Sequence, residues 1–473
     1  MRRVAILGGG VTGLTAAFRL QRLGVPVVVY EAADRVGGVI RTERSNGYIA
    51  EFGPNTVLET SNKITDLIED LGLTSRRMYS DPAAENRYLV RGGKPVLLPA
   101  SPIKFFGTKL FSASAKLRLF TEPFVPRARA EIEESVAEFV LRRLGREFLD
   151  YAINPMVGGI YAGDPARLSV THAFPKLHAV EQKYGSLIMG QILGARERRR
   201  RGEVSKQSAK KISFDQGLQV LTDTLAERLG DAVQRSSRVE YIRRSAGGWQ
   251  VGVKSGGETR VEEFSSVLLT GTARSIAKLL ISAESAISLA ALAEVNYPPV
   301  SSVVLGFRRE DVAHPLDGFG MLIPEVEKFN TLGTLFSSSL FPNRAPAGHV
   351  LLTSYIGGAR NPELALKDGE TLVKLTLEDL RRLLGVKGSP TFTHYFTFPH
   401  AIPQYEVGYG RYKELMARTE SNCPGLFFAG NYRDGVSLGD SIVSGHNIAE
   451  RIQKSLEDAT RKATAQTPIP LAA

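Results

Sequence analysis

Val4-Ala5-Ile6-Leu7-Gly8-Gly9-Gly10-Val11-Thr12-Gly13, read on to Glu31, is the stretch that decides the fold. Residues 4–7 are an apolar run short enough for a buried strand, residues 11–23 repeat apolar side chains at helical spacing, and residues 25–30 form a second, β-branched run. This is a strand–helix–strand unit with the pattern G-x-G-x-x-G at its first turn. Gly8 permits the tight turn, Gly10 lets the backbone approach a pyrophosphate, and Gly13 lets the helix lie close to the strand. The helix amino terminus that begins among Gly9, Val11 and Thr12 favours phosphate charge. Glu31 ends the second strand, 18 residues after Gly13, where its carboxylate can accept both hydroxyl hydrogens of an adenosine ribose. A carboxylate there repels a ribose phosphate, which counts against NADP.

Composition narrows the class. The chain has 473 residues, 43% hydrophobic and 23% charged, enough for two or three domains around a large cavity. One cysteine, Cys423, excludes an internal disulfide framework and reads as a small residue ahead of a buried strand. The seven histidines lack metal-ligand spacing, so no metal is expected. A net charge of +11 suits nucleic acid, an anionic membrane surface or an acidic small molecule, and charge alone does not choose among them. Arg2 and Arg3 before an apolar run imitate a signal peptide, but the glycine run breaks the imitation, and no window of about 18 apolar residues occurs elsewhere. A cytoplasmic protein without a transmembrane span is expected.

Beyond the first unit, residues 115–120, 133–144 and 178–200 have helical spacing, as do 214–229 and 375–384. Strands are expected at 239–242, 249–253, 267–269, 303–307, 321–323 and 350–356. Residues 426–431 read as a buried strand ending in a small-residue turn, followed by Asp434-Gly435-Val436-Ser437-Leu438-Gly439-Asp440 and a helix through Ile452.

Arg35-Val36-Gly37-Gly38 and Arg41, close after Glu31, resemble the extension of glutathione-reductase-type and amine-oxidase-type flavoproteins. The segment around Gly439 resembles the carboxy-terminal flavin segment of the same superfamily. A helix amino terminus there, aimed at the flavin pyrimidine, would stabilise the charge of the reduced ring. Five further strings resemble the protoporphyrinogen oxidase family: Glu51-Phe52-Gly53-Pro54-Asn55-Thr56, Asn86-Arg87-Tyr88-Leu89, Gly158-Gly159-Ile160-Tyr161-Ala162-Gly163-Asp164-Pro165, Gly318-Phe319-Gly320-Met321-Leu322-Ile323-Pro324, and Ala401-Ile402-Pro403-Gln404-Tyr405. With the glycine segments they run in order from residue 4 to about 452.

The resemblance implies an α/β fold, α+β overall: a Rossmann-like FAD-binding domain of the glutathione-reductase/amine-oxidase type, a mixed-sheet substrate domain and an inserted helical domain. The boundaries expected are FAD-binding at 1–84, 204–285 and 420–456, helical membrane or substrate-channel at 85–203, substrate-binding at 286–419, and a flexible tail at 457–473. Non-covalent FAD would meet Gly8, Gly9, Gly10, Val11, Thr12, Gly13, Glu31, Gly38, Val39, Arg41, Gly53, Pro54, Asn55, Thr56, Val239, Asn431, Val436, Ser437 and Leu438. A porphyrinogen would meet Asn55, Arg87, Gly159, Phe319, Leu322 and Tyr355. Phe319 and Leu322 suit a flat apolar macrocycle and Arg87 a carboxylate tail. On local sequence an uncommitted exposed Arg87 is the alternative. Gly159 reads equally as a carbonyl offered to pyrrole N–H groups or as a helix terminator.

The implied activity is oxidation of protoporphyrinogen IX to protoporphyrin IX, a six-electron step in haem biosynthesis, by repeated hydride transfer from a meso carbon to flavin N5. Oxygen or a quinone would take the electrons. No acid–base pair is seen, so positioning must supply most of the rate. The sister activity, coproporphyrinogen III oxidase, remains the alternative enzyme. A flavin amine oxidase would be expected to show an aromatic pair near the flavin and often a cysteine linked to it, and a non-enzymatic binding protein of the same fold is the alternative of another class. Tyr409 stands where many relatives carry histidine, and Tyr355 where some are apolar.

Phe105, Phe106, Leu110, Phe111, Leu117, Leu119, Phe120 and Phe124 lie among Lys104, Lys109, Lys116 and Arg118, which suits either an interfacial helix on anionic lipid or a pocket-lining helix. Peripheral attachment to the inner face of the cell membrane is therefore entertained. Residues 196–201 with Lys206, Lys210 and Lys211 lack neighbouring aromatic stacking residues, so a solvated loop is expected and no nucleic acid. A homodimer is left open.

Overall fold

The computed structural model describes residues 3–99, 101–129, 132–201 and 209–465. Its centre is a five-stranded parallel sheet, ordered Val233–Gln234, Val27–Tyr30, Val4–Leu7, Ser266–Leu269, Leu426–Phe428. The inner strands are short apolar runs because both faces are covered. Strand alternation shares them out: Val4, Ile6, Val27, Val29 and Leu268 join the core under the helices Val11–Arg22, Gln219–Leu229 and Leu438–Ala465. Ala5, Val28, Tyr30, Val267 and Leu269 instead face Trp249, Val251, Val253 and Phe264 of the antiparallel strands Gly248–Ser255 and Glu258–Phe264.

A second, seven-stranded sheet is mixed, in the order Phe392–Phe398, Val300–Arg308, His349–Gly357, Thr331–Phe336, Gly318–Leu322, Asn86–Arg91, Lys94–Leu97. The helix Gly369–Leu384 packs on it through Leu372, Leu380, Leu383 and Leu384.

Five expectations need correcting. The helical block does not begin at residue 85, because Asn86–Arg91 pairs in parallel with Gly318–Leu322 and so belongs to the mixed sheet. Residues 178–200 are two helices, Pro175–Tyr184 and Leu187–Arg201, split where Gly185 adopts φ +74°. The carboxylate of buried Glu122 accepts from the Leu187 amide at 2.9 Å and from Ser186 Oγ at 2.5 Å, holding the start of the second helix. The backbone of residues 196–201 is thereby helical rather than a loop, while Lys206 lies outside the described residues. Residues 214–229 are not one helix: Lys211–Phe214 is a strand between Val57–Leu58 and Arg77–Tyr79, Gly217 turns at φ +92°, and the helix starts at Gln219. The last helix continues to Ala465, past the expected tail boundary at 457, and residues 466–473 lie outside the described part.

Candidate active site

Two segments more than 400 residues apart meet at the first glycine turn. Thr12 Oγ1 donates to the Ser441 carbonyl at 3.1 Å, and a Cβ on Gly445 would lie 2.5 Å from the Thr12 carbonyl oxygen, so the first and last helices touch through backbone. Gly13 is equally constrained, since its Cβ would lie 2.1 Å from the Gly8 carbonyl oxygen. Glu31 is fixed by two amides, Gly9 N–H at 2.7 Å and Ala33 N–H at 2.8 Å, with lone pairs left for further donors. Ser237, two residues before half-buried Val239, donates its amide to the Glu31 carbonyl at 2.8 Å.

From Glu31 a seam runs through the remaining glycine positions. The Arg35 guanidinium donates to the carbonyls of Gly38 (2.8 Å) and Ile40, so this cation shapes the second glycine loop. A Cβ on Gly38 would lie 3.6 Å from Gly10 Cα, and one on Gly53 only 2.0 Å from the Val39 carbonyl oxygen. A Cβ on Gly439 would lie 3.1 Å from the Leu58 carbonyl oxygen, placing the last helix against the strand that follows Pro54, Asn55 and Thr56. Ser437 caps that helix by accepting from the Asp440 amide at 3.1 Å, with Val436 and Leu438 flanking it. Arg41 is drawn to the mixed sheet, its guanidinium 4.5 Å from the Phe396 ring centroid.

Beneath the Gly53–Thr56 loop sits a polar cluster that the sequence reading did not single out. Glu51 and Arg344 are each 2% exposed and 3.9 Å apart. Glu51 accepts from Thr42 Oγ1 at 2.7 Å and from the Leu218 amide at 2.6 Å, yet burial pushes its carboxyl up to about 7, against the pull of Arg344. Above it, Asn55 Nδ2 donates to Tyr355 Oη at 2.5 Å and Tyr355 Oη donates to the Gly53 carbonyl at 3.2 Å. Burial, with Glu51 beside it, raises the Tyr355 phenol well above its ordinary range, so it stays protonated. An acidic residue inside the otherwise apolar run Tyr48–Phe52 was the available signal for Glu51; nothing local marks Arg344.

Tyr409 is a brace rather than a pocket residue. Buried, it donates to the Tyr432 carbonyl at 2.6 Å, while Tyr432 donates to Leu269 at 2.7 Å and Tyr405 to the Asn431 carbonyl. Three phenols thus hold the turn after the strand Leu426–Phe428. Cys423 is buried in the core ahead of that strand, and burial raises its thiol.

The other expected residues gather across the mixed sheet. Gly159 lies in the last turn of the helix Asn154–Tyr161, which Ala162 ends at φ +46°, so Gly159 does not terminate it. Carbonyls of a last turn have no intrahelical amide partner. A Cβ on Gly159 would lie 2.7 Å from Leu322 Cδ2. Arg360 pins this helix to the sheet, donating to the carbonyls of Asn154 (2.9 Å) and Ile323 (2.9 Å). Phe319, like Met78, packs against the cluster Ala84, Leu340 and Phe341, and its neighbour Gly320 is in register with exposed Arg87.

Space at the first turn tests whether a dinucleotide fits. Among the described residues other than its chain neighbours, no atom lies within 4 Å of a Cβ built on Gly10, and its backbone (φ −73°, ψ 172°) is open to any residue. The loop has therefore kept a bare glycine beside an open cradle that Gly38 borders and Glu31 overlooks, the arrangement a pyrophosphate and ribose require.

Residues 11–453 match the family described as flavin containing amine oxidoreductase. The chain is similar to protoporphyrinogen oxidase 2, chloroplastic/mitochondrial, of Arabidopsis thaliana, with 37% identity over 97% of this chain and 95% of that protein. It is similar also to coproporphyrinogen III oxidase of Bacillus subtilis, with 30% identity over 94% of this chain and 96% of that one. Among solved structures, a protein described as a protoporphyrinogen oxidase from Exiguobacterium superposes with TM-score 0.80 at 24% identity, covering 96% of this chain and 99% of that one, which speaks for the fold. The cofactor is FAD. The chain belongs to the flavin-containing amine oxidoreductase family, on its branch of porphyrinogen oxidases.

Proposed function

We propose that this chain oxidises protoporphyrinogen IX to protoporphyrin IX in haem and porphyrin biosynthesis, with oxygen or a quinone as acceptor. The observation that supports the reading is that Gly159 lies against Leu322, on the strand that also carries Phe319, and that Arg87 is in register with Gly320, the residue after Phe319. FAD, held by the glycine turn, Glu31 and the loops at 53–56 and 436–438, supplies a two-electron acceptor. The residues contribute placement. Phe319 and Leu322 lie against the ring faces, Gly159 lets the macrocycle approach backbone, and Arg87 holds a carboxylate. Asn55 and Tyr355, locked to each other and to Gly53, set the distance between substrate and cofactor. Tyr355, kept protonated, can donate but does not serve as a base.

The experiment is Arg87→Ala. It should raise KM for protoporphyrinogen about tenfold while FAD occupancy stays intact; an unchanged KM removes Arg87 from the site. Oxygen as acceptor predicts three peroxides per porphyrin. The sister activity is kept as a second reading because coproporphyrinogen oxidases stand among the similar proteins.

An anionic membrane surface is a proposed partner. Within the basic block, Leu110 and Phe111 are buried, whereas Phe106, Leu117, Phe120 and Phe124 are exposed among exposed Lys104, Lys109 and Arg118. Among the described residues no helix is long and apolar enough to cross a membrane. Flotation with vesicles containing phosphatidylglycerol should exceed that with phosphatidylcholine alone, and Phe106→Ser with Phe120→Ser should abolish the difference. Equal flotation with both lipids would remove the electrostatic part of the account.

A further inference from the structure

Lys210 and Lys211 belong to one basic run in the sequence, but the strand Lys211–Phe214 begins at Lys211 and leaves Lys210 outside it. Lys210 is exposed, with its ammonium 5.0 Å from the Tyr79 ring centroid. Lys211 is half-buried, its ammonium 6.0 Å from the centroid of Phe319, one of the proposed substrate contacts. Burial lowers the Lys211 ammonium below its ordinary range, and the nearby Arg87 guanidinium lowers it further. Glu85 pulls the other way, yet among the described residues no carboxylate lies within ion-pair distance of Lys211 or Arg87.

Two neighbouring like charges, one of them half-buried and neither ion-paired among the described residues, are an unfavourable arrangement unless an anion completes it. Phe319, the ring nearest the Lys211 ammonium, is also the proposed macrocycle contact, and its neighbour Gly320 is in register with Arg87. We propose that Lys211 and Arg87 form a two-cation clamp for the paired carboxylates on one edge of the porphyrinogen, and that Lys211 is a specificity-determining residue. This rests on the proposed function and extends it. Two cations at one edge match a substrate with two propionates on adjacent rings. At Gly159 and Leu322, Arg360 behind Gly158 is the described cation in contact, and it is committed to the carbonyls of Asn154 and Ile323. A substrate with further carboxylates on the opposite edge is therefore disfavoured.

The test uses the holoenzyme with protoporphyrinogen and with its dimethyl ester, which keeps the ring and removes the charge. Lys211→Ala should raise KM for the diacid about tenfold with kcat little changed, and Lys211→Arg should stay within about threefold of the parent. Neither variant should alter KM for the ester. In the parent, KM for the diacid should climb at alkaline pH as Lys211 loses its proton, and Lys211→Ala should flatten that rise. Equal KM increases for diacid and ester would make Lys211 a packing residue under Phe319 and overturn the clamp, as would no change with either. If the parent enzyme oxidises neither compound, the functional reading itself falls, a result distinct from turnover that ignores Lys211.

Discussion

Gly10→Val should yield folded but nearly colourless protein, with FAD affinity reduced on the order of a hundredfold, or about 3 kcal/mol. The polypeptide itself gives no reason for such a loss. Gly10 has extended backbone geometry that valine adopts freely, and the added Cβ would meet no atom of the described residues beyond its chain neighbours within 4 Å. Only a ligand in that space would be displaced. Gly13→Ala supplies the contrast, because its Cβ would lie 2.1 Å from the Gly8 carbonyl oxygen and 2.6 Å from Thr270 Oγ1. That overlap should cost roughly 3 kcal/mol of fold stability whether or not FAD is present. Thermal unfolding of both apoproteins and FAD titration separate the two effects. Parent-like FAD affinity in Gly10→Val would show that the first glycine turn is not the pyrophosphate cradle.

Glu51 should make the protein less stable as pH rises from 4.5 towards 7. Burial raises its folded-state pKa from 4.5 to about 7, so the folded chain binds more protons than the unfolded one across that window. The contribution is fully present below 4.5 and is lost as pH passes through about 7, which at 1.36 kcal/mol per unit amounts to roughly 3 kcal/mol. His172, His314 and His446, whose pKa values burial lowers, act in the opposite sense near neutrality. The prediction therefore concerns the difference between the parent and Glu51→Gln, whose neutral amide does not titrate. Denaturant unfolding at pH 5 and 7.5 should show the parent losing more stability than the variant over this interval. The reverse would mean that Arg344 outweighs burial and keeps Glu51 ionised.

The glycine turns were legible from sequence because their spacing reflects local backbone demands, at Gly8, Gly13 and Gly439 alike. Pairings between distant segments were not. Asn86–Arg91 looked like the start of the helical block because its partner strand lies some 230 residues on. Residues 214–229 kept helical apolar spacing although a strand ends within them, and only the φ +92° at Gly217 separates the two elements. Arg344 meets Glu51 through the fold alone. Lys211 was hidden among charges, since the difference between it and Lys210 exists only once a strand begins at Lys211 and half-buries it while Lys210 stays exposed. The proposed substrate residues were reached by resemblance, and the structure adds the close approaches of Gly159 to Leu322 and of Gly158 to Arg360.

The central claim is that a porphyrinogen with two propionates delivers its electrons to the flavin of this chain. Anaerobic mixing of the yellow holoprotein with protoporphyrinogen and, separately, coproporphyrinogen, followed at the flavin band and then by porphyrin fluorescence after admission of air, tests it directly. The account predicts bleaching by both with protoporphyrinogen markedly faster; faster bleaching by coproporphyrinogen, or none by either, would contradict it.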